Sequence, residues 1–586
     1  MLLRGALQRA LGLFRLVLHK LPLGVRQQLR QQNILMSLYA KVLHTSRLFY
    51  GTLPKHELRA RYKKLILLQH QVLQEQEQAL EPTAMIDCLI LNPSEQGLPW
   101  ETLNSLQSMR RVRRIFLFNA NSNHNTTDLT QFNKARLLTT DTQFDYTLPL
   151  LLIRAGEVIH QHAIAAFLMA GEKHLGIDVI TCDSDTLNNE LGRTEPQCYP
   201  QWDPDLQLSS GYLNSGICLF GKEHQQSITN FIAKERHAGA YALWLANVYA
   251  LKHDVVIMHL PFSLLHRKVS YPVNWSDALK QSGILTPRQL EITPGKTSDT
   301  AVIRWPITSK PLVSIIIPTR NGKVLVETCI ASILKLSEYQ HYEILLVDNK
   351  SDEPDSLAFF NVLAEKEEKV RLLQYPFEFN YSAINNFAVT HARGSVYAFV
   401  NNDIEVISTT WLGDMLRHVM RQDIGCVGAK LYYANRRVQH AGVVLGYGGG
   451  AGHAHKYFPD YHPGYLNRLI VTHHFSAVTA ACLLIKREDF AAVNGFNEKD
   501  LAVAFNDVDL CLKVQELGKR NLYCAEAELY HHESVSRGTE NTPEKRMRFE
   551  RELAYLQATW PDYIAQDPGY NCNLTLSQEN FALREK

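Results

Sequence analysis

Nowhere in the chain do two cysteines stand in a Cys-x-x-Cys spacing. The ten cysteines, Cys88, Cys182, Cys198, Cys218, Cys329, Cys426, Cys482, Cys511, Cys524 and Cys572, are scattered. That pattern excludes a zinc ribbon or a disulfide-stapled scaffold. Several cysteines lie inside apolar runs such as A-A-C-L-L-I, as small buried hydrophobes of a reducing compartment do. A charge excess is lacking too: 61 Lys and Arg stand against 59 Asp and Glu, a formal net charge of +2. A general nucleic-acid binder needs a basic surplus on one face, so nucleic acid is not an expected partner.

The near-balance fails in one place, because no Asp or Glu occurs before Glu57 whereas Arg4, Arg9, Arg15, Lys20, Arg26, Arg30, Lys41, Arg47 and Lys55 do. Basic residues interrupt every apolar run there well short of the roughly 18 to 20 residues that a membrane-spanning helix needs. An uninterrupted apolar stretch ending in a small-residue cleavage site is also missing, so a cleaved signal peptide is not expected. Leu3, Leu7, Ala10, Phe14, Val17 and Leu21 recur at helical spacing and make one apolar stripe flanked by Arg4, Arg15, Arg9 and Lys20. Such a helix suits an anionic membrane surface or the protein's own domains equally well. The expected location is cytoplasmic, peripheral on the inner face of the cell membrane if the surface reading holds.

A chain of 586 residues exceeds one core and points to two or three domains. The basic helical segment covers 1–83. From 84 to 270, M-I-D-C-L-I-L-N, R-I-F-L-F-N, L-P-L-L-L-I, D-V-I-T-C-D and V-V-I-M-H-L read as strands with helices between them. A polar, Pro-containing linker over 271–310 leads to a second α/β unit, 311–540, and a charged helix with a turn-rich tail, 541–586, braces it. The fold class is α/β with two tandem units.

Chemistry concentrates in the second unit. Asp348 closes E-I-L-L-V-D, Asp403 closes Y-A-F-V-N-N-D, and Asp507 lies in F-N-D-V-D-L. In an open, mostly parallel sheet the strand C-termini gather on one edge, so these carboxylates converge although they are far apart in the chain. Together with His531 and His532 they suit a divalent metal, a diphosphate and a general base. Each residue also has a plain structural reading: an Asx-turn of Asp348 with Asn349 and Ser351, an N-cap for Asp507 or Asp509, a buried hydrogen-bonded histidine.

The segment from Pro311 to Gly538 resembles family 2 of the glycosyltransferases, inverting enzymes of the GT-A fold. The motifs are P-T-R-N (318–321), V-D-N-K-S (347–351), F-N-Y-S-A-I-N-N (379–386) with A-R-G (392–394), V-N-N-D (400–403), S-A-V-T-A-A-C (476–482), N-D-V-D-L (506–510) and H-H-E-S-V-S-R-G (531–538). Within that family the chain is similar to two-domain, rhamnosyltransferase-like enzymes of O-antigen and capsule assembly, which share a stretch like G-V-V-L-G to G-H-A-H (442–455). The resemblance implies a hexosyl transferase acting on a nucleotide-sugar donor and a glycan or glycolipid acceptor. It implies that Pro318, Thr319, Asn321, Asp348, Asn349, Asn380, Asn385, Arg393, Asn402 and Thr479 bind the nucleotide sugar. Asp403 with His531 or His532 would hold Mn2+ or Mg2+, and Asp507 would be the base. The usual first acid of the metal motif is Asn401 here. His440, His453 and His455, around the Gly446–Gly452 turn, are read as shaping an acceptor pocket or a mobile lid.

The first unit reads as a diverged copy. Setting R-I-F-L-F-N on E-I-L-L-V-D puts Asn119 at Asp348, and setting Glu157-Val158-Ile159 on Glu405-Val406-Ile407 puts Ala155 at Asp403. Setting G-A-Y-A-L on N-D-V-D-L puts Ala240 at Asp507 and Ala242 at Asp509, while His266 matches His531. The expectation is a silent domain, with Asp183 and Asp185 not a metal pair. A bifunctional polysaccharide synthase and a non-catalytic nucleotide-sugar-binding scaffold are the alternatives.

Overall fold

The computed structural model describes residues 55–93, 98–119, 127–139, 142, 144–188, 192–248, 255–268, 272–532 and 542–585. The apolar stripe of residues 3–21 and the motif end at 533–538 lie outside them. Two mixed sheets dominate. The first contains β1 (Ile86–Asn92), β2 (Val112–Asn119), β3 (Ala135–Leu137), β4 (Leu150–Arg154), β5 (Glu157–Ile159), β6 (Val179–Asn188), β7 (Gly192–Gln197), β8 (Ile217–Leu219) and β9 (Ile257–Arg267). A small hairpin, β10 (Glu291–Pro294) and β11 (Ala301–Arg304), follows. The second sheet contains β12 (Val313–Thr319), β13 (Tyr342–Asp348), β14 (Val370–Gln374), β15 (Val396–Val400), β16 (Ile404–Val406), β17 (Ile424–Tyr432) and β18 (Val438–His440). After the separate hairpin β19 (Val443–Leu445) and β20 (Ala451–His453), it resumes with β21 (His473–His474), β22 (Cys482–Lys486) and β23 (Arg520–His531).

The strand orders are β3-β2-β1-β4-β8-β6-β9-β5 and β14-β13-β12-β15-β22-β17-β23-β16. Numbered by rank within each unit these are the same permutation, with β7 beside β6 as β18 is beside β17. The central strands β1, β4, β13 and β15 are buried along their whole length because helices cover both faces. Successive side chains alternate: Val313, Ile315, Ile317, Ile344 and Leu346 enter one core, while Ile316, Leu345, Val347 and Phe399 enter the other. The first unit splits Ile86, Cys88 and Ile90 from Leu89 and Leu91 in the same way.

Because the orders agree, the registers can be followed from strand to strand. With Asn119 at Asp348, the β1–β2 and β12–β13 ladders put Asn92 at Thr319. The β1–β4 and β12–β15 ladders then put Leu152 at Phe399, and counting on from these gives Gly156 at Asp403 and Glu157 at Ile404. Glu157 faces Arg267 across β5–β9, as Ile404 faces His531 across β16–β23. The sequence pairing is therefore corrected: Gly156 rather than Ala155 stands at Asp403, and Arg267 rather than His266 stands at His531.

Two further segments differ from expectation. The stretch read as a linker carries the helix Trp275–Ser282 and the β10–β11 hairpin, whose Trp275, Leu279 and Ile303 share a core with Leu208 and Leu243. Apolar side chains at those positions pay for ordering that a polar linker would not repay. From Lys55 on, the N-terminal basic segment belongs to the protein's own fold: in the helix Lys55–Ala79, Tyr62, Leu65 and Leu73 are buried.

The units meet through W-D-P-D-L. Asp203 caps the helix Pro204–Ser210 by accepting from Leu206 N (3.0 Å) and also accepts from His474 N of the second unit (2.9 Å). Asp205 pairs with Arg421 (2.5 Å) and Arg520 (2.6 Å), which hold its carboxyl well below the usual range despite burial. Asp183 and Asp185 are spent internally as well. Asp183 accepts from Tyr199 N, His259 Nε2, Asn571 Nδ2 and Asn573 Nδ2, and Asp185 binds Arg193, His266 and the Tyr62 hydroxyl. All ten cysteines are free thiols. No helix among the described residues is long and apolar enough to cross a membrane.

Removing a buried, hydrogen-bonded carboxylate strands its partners. Asp183→Ala should cost about 3–5 kcal/mol by leaving His259 and two tail asparagines without their acceptor. Thermal unfolding checks this: a melting temperature within about a degree of wild type would contradict the clamp.

Candidate active site

Three strands deliver the first side chains to one edge. β12 ends at Thr319, paired in register with Asp348 at the end of β13, and β15 runs out into Asn401, Asn402 and Asp403. Thr319 Oγ1 donates to Asn321 O (3.1 Å) and accepts from Asn402 Nδ2 (2.9 Å), which knits the β12 and β15 ends together. Half-buried Pro318 precedes them. Asp348 realises the Asx-turn: its Oδ1 accepts from both Ser351 N and Ser351 Oγ. Asn349 Nδ2 donates to Tyr375 O and Phe377 O, so its amide positions the loop after β14.

The metal motif and the base meet through a chain of hydrogen bonds. His531, at the end of β23, lies with Nε2 3.2 Å from Asp403 Oδ1 and 3.1 Å from Asn401 Nδ2. Its Nδ1 donates to Gln439 Oε1 (2.5 Å). His531 Nε2 thus faces both the Asn401 amide and the Asp403 carboxylate, while its other nitrogen is oriented by Gln439, the second hydrogen bond that a ligating imidazole requires. His532 is turned away and pairs with Glu405 (2.8 Å). Tyr381 OH donates to Ala480 O (3.0 Å) and reaches Asn401 Oδ1 (3.4 Å), joining this group to the loop that holds Asp507.

Asp507 is not a helix cap. The helix Asn506–Glu516 is preceded by Phe505 in the left-handed region (φ 60°), with no side-chain capping bond. Asp507 Oδ2 accepts from Ala480 N (3.0 Å), Oδ1 accepts from Val508 N (2.9 Å), and the Thr479 hydroxyl donates to the same carboxylate. Desolvation outweighs these bonds and lifts the Asp507 carboxyl above its ordinary value. A partly exposed carboxylate with raised proton affinity suits a general base. Asp509 is occupied by Trp560 Nε1 (3.0 Å) and Lys513 Nζ (3.1 Å).

Several residues inferred from the resemblance are used elsewhere. Arg393 lies before the first residue of β15, its backbone N–H bonded to Glu343 Oε1 near the start of β13. The five-residue strand separates it from Asp403 by about 17 Å, so it stands on the opposite edge of the sheet. Asn385 is fully buried with its amide on Tyr381 O, inside its own helix. Asn380 caps that helix through Ala383 N and holds Glu498 O. Asn321 spends its amide on Asp352 and Glu353, fastening the helix Pro354–Lys366. The residues brought together are Thr319, Asn402, Asp403, Thr479, Asp507 and His531. The sequence reading did not single out Tyr381 and Gln439 as site residues. Tyr381 stood inside a quoted motif, whereas Gln439 carried no signal beyond its place before His440.

Residues 314–492 match Glycosyl transferase family 2. The matched stretch lies in the second unit, from β12 to the helix Arg487–Ala492 after β22, and Asp507 and His531 lie beyond it. An uncharacterized protein of Sinorhizobium fredii is 51% identical over 279 residues, 48% of this chain and 31% of its own length. An O-antigen biosynthesis protein of Myxococcus xanthus is 29% identical over 461 residues, 73% of this chain and 34% of its own length. The chain thus spans about a third of these relatives. A solved mannosyltransferase of Pyrobaculum calidifontis, in complex with GDP-Man and Mn2+, is 17% identical over 42% of this chain and 64% of its own, at a TM-score of 0.32, too distant to carry an argument.

The raised Asp507 carboxyl sets the sign of the pH dependence of any transfer in which it serves as base. Such a base must be ionised to work, so that transfer falls as pH drops through a value above the ordinary carboxylate pKa of about 4. The acidic limb of kcat/KM against pH should show it; a profile flat down to pH about 4 would remove Asp507 from that role.

Proposed function

We propose that the second unit is an inverting glycosyltransferase that moves a hexosyl group from a nucleotide-diphosphate sugar to a hydroxyl of a growing surface glycan such as O-antigen or capsule. The observation carrying this reading is the hydrogen-bonded chain from Asp507 through Thr479, Ala480, Tyr381 and Asn401 to His531 and Asp403. In this reading Asp507 accepts a proton at one end of that chain and the Asp403–His531 pair serves the leaving group at the other. The name of the Myxococcus relative supports the choice of acceptor class.

In the proposed reaction the acceptor hydroxyl attacks the anomeric carbon while Asp507 takes its proton, and the bond to the diphosphate breaks with both electrons going to the phosphate oxygen. Attack from the Asp507 side, opposite the diphosphate, inverts the carbon. Thr319 and Asn402 line the edge where the nucleotide enters, and Asp348, Asn349 and Pro318 shape it. Asn380 and Asn321 act by holding the flanking helices.

The Asp403 carboxylate and the His531 Nε2 lone pair fit Mn2+ or Mg2+, which keep remaining positions for phosphate and water. Among the described residues no three His, Cys, Asp or Glu side chains gather as a metal cluster, consistent with a donor supplying the other ligands. When bound, such a cation offsets the charge growing on the diphosphate. His531 takes the ligand role rather than His532.

The first unit is proposed to be catalytically silent. Gly156 offers no ligand where Asp403 stands, and Asn119 and Ala240 replace Asp348 and Asp507. The Arg267 guanidinium, bonded to Gln197, Tyr199 and Asn214, lies where His531 would ligate. A cation repels a second cation, so the position is closed to a metal.

Purified protein screened against UDP-, GDP- and dTDP-sugars should hydrolyse or transfer one donor, lose that turnover in EDTA and regain it with Mn2+ or Mg2+. Asp403→Ala should abolish it, and Asp507→Asn should remove transfer while donor binding stays nearly intact. Full turnover in EDTA would sink the metal role. The basic residues before Glu57 are further proposed to rest on anionic lipid. Deleting residues 1–54 should then release the protein from phosphatidylserine vesicles, and equal sedimentation of both forms would refute it.

A further inference from the structure

The helix Lys55–Ala79 buries one face and leaves the other uncovered. On the inner side Tyr62, Leu65, Gln69 and Leu73 recur every three or four residues and are buried. The Tyr62 hydroxyl donates to Asp185, Gln69 Nε2 donates to Pro261 O (3.0 Å), and Gln69 Oε1 accepts from Ser263 N (3.2 Å). Arg61 donates to Leu583 O (2.9 Å) in the tail. These bonds set the rotation of the helix about its own axis. Its outer side is apolar at the centre: Leu67 is 58% exposed, Val72 42% and Leu68 38%. The three lie within about one and a half turns, so they form one patch where a helix packed on a single side turns polar groups to water.

Charge says what suits that patch. The nine Lys and Arg before Glu57 are followed by Arg59, Arg61, Lys63 and Lys64, with no further acid until Glu75. Glu57 itself pairs with Arg61 (2.5 Å). From Glu75 onward the chain holds 58 of its 59 Asp and Glu but only 48 of its 61 Lys and Arg. The first 74 residues are therefore strongly basic and the remainder is acidic. An anionic surface attracts the one and repels the other, which orients the molecule on it. Arg59, Lys63 and Lys64 are exposed, and Lys64 stands three and four residues before Leu67 and Leu68, on the same face. Basic heads beside an apolar centre are the make-up of a helix that lies in a headgroup layer.

We propose that the outer face of Lys55–Ala79 rests on an anionic bilayer, with Leu67, Leu68 and Val72 entering the boundary between headgroups and acyl chains and Arg59, Lys63 and Lys64 meeting the lipid phosphates and carboxylates. The proposal extends the lipid reading of the residues before Glu57 and adds a contact of fixed orientation. Because the inner face is clamped to Asp185, Pro261 and Ser263, this helix decides which side of the first unit the bilayer sees.

Flotation of the full-length protein with phosphatidylcholine vesicles, with and without phosphatidylserine, tests it. Leu67→Ser, Leu68→Ser and Val72→Ser together should lower partitioning onto phosphatidylserine vesicles roughly tenfold, and Lys63→Gln with Lys64→Gln about as much at low salt. The melting temperature should stay put, since all five side chains face water. A polarity-sensitive dye on Gln71→Cys, within the outer face, should shift to the blue with phosphatidylserine vesicles and not with phosphatidylcholine alone. The protein lacking residues 1–54 separates the two lipid contacts: if it still floats and the Ser changes abolish that, the helix face stands and the lipid role of 1–54 falls. Undiminished flotation of the full-length Ser variant would overturn the proposal, as would a dye that stays in water while the protein floats. Ser changes that split a dimer yet leave flotation intact would give the face to a second copy instead.

Discussion

Parallel strands joined by crossovers must all end on the same edge, and the rest of this molecule depends on that constraint. β12, β13 and β15 run side by side in register, so Thr319, Asp348 and Asp403 arrive together although 84 residues separate the first from the last. The antiparallel β16 and the end of β23 close the edge from the far side and bring His531 against Asp403. Neither carboxylate would persist in an apolar interior without partners, and each has them: Ser351 for Asp348, His531 for Asp403.

Asp507 is held from a different direction. Glu552, buried on the helix Pro543–Thr559, accepts from Val503 N (2.9 Å) and Ala504 N (3.0 Å) in the loop that leads to Asp507. Gln557 of the same helix grips the glycine-rich turn, and Trp560 beyond its end holds Asp509. One C-terminal element thereby sets the spacing between Asp507 and the Gly446–Gly452 turn. The tail continues to Asn571 and Asn573 on Asp183, so the same segment fastens both units.

The two sheets share a frame but not the residues at their strand ends. Strand order and alternation survive in the first unit because they are set by apolar packing on both faces. Charges that remain are turned inward as clamps: Glu157 on Arg154 and Ser215, Asp185 on Arg193 and His266. Such groups must stay paired once buried, whatever they did in an active copy.

Apolar runs ending in acids, together with the motif chain, were enough to read the α/β class and the resemblance to family 2, because strand periodicity and strand-end chemistry are local properties. Tertiary structure alone decided the rest. Whether His531 or His532 meets Asp403 depends on which face of β23 each occupies, and the match of Arg267 to His531 depends on ladder register, which a one-residue slip changes. Arg393 belongs to a motif yet sits a strand's length from the crevice, since a motif does not say at which end of its strand a residue lies. The roles of Gln439 and Glu552 come from hydrogen bonds that cross 92 and 49 residues, and no pattern along a chain encodes contacts made only when distant elements pack.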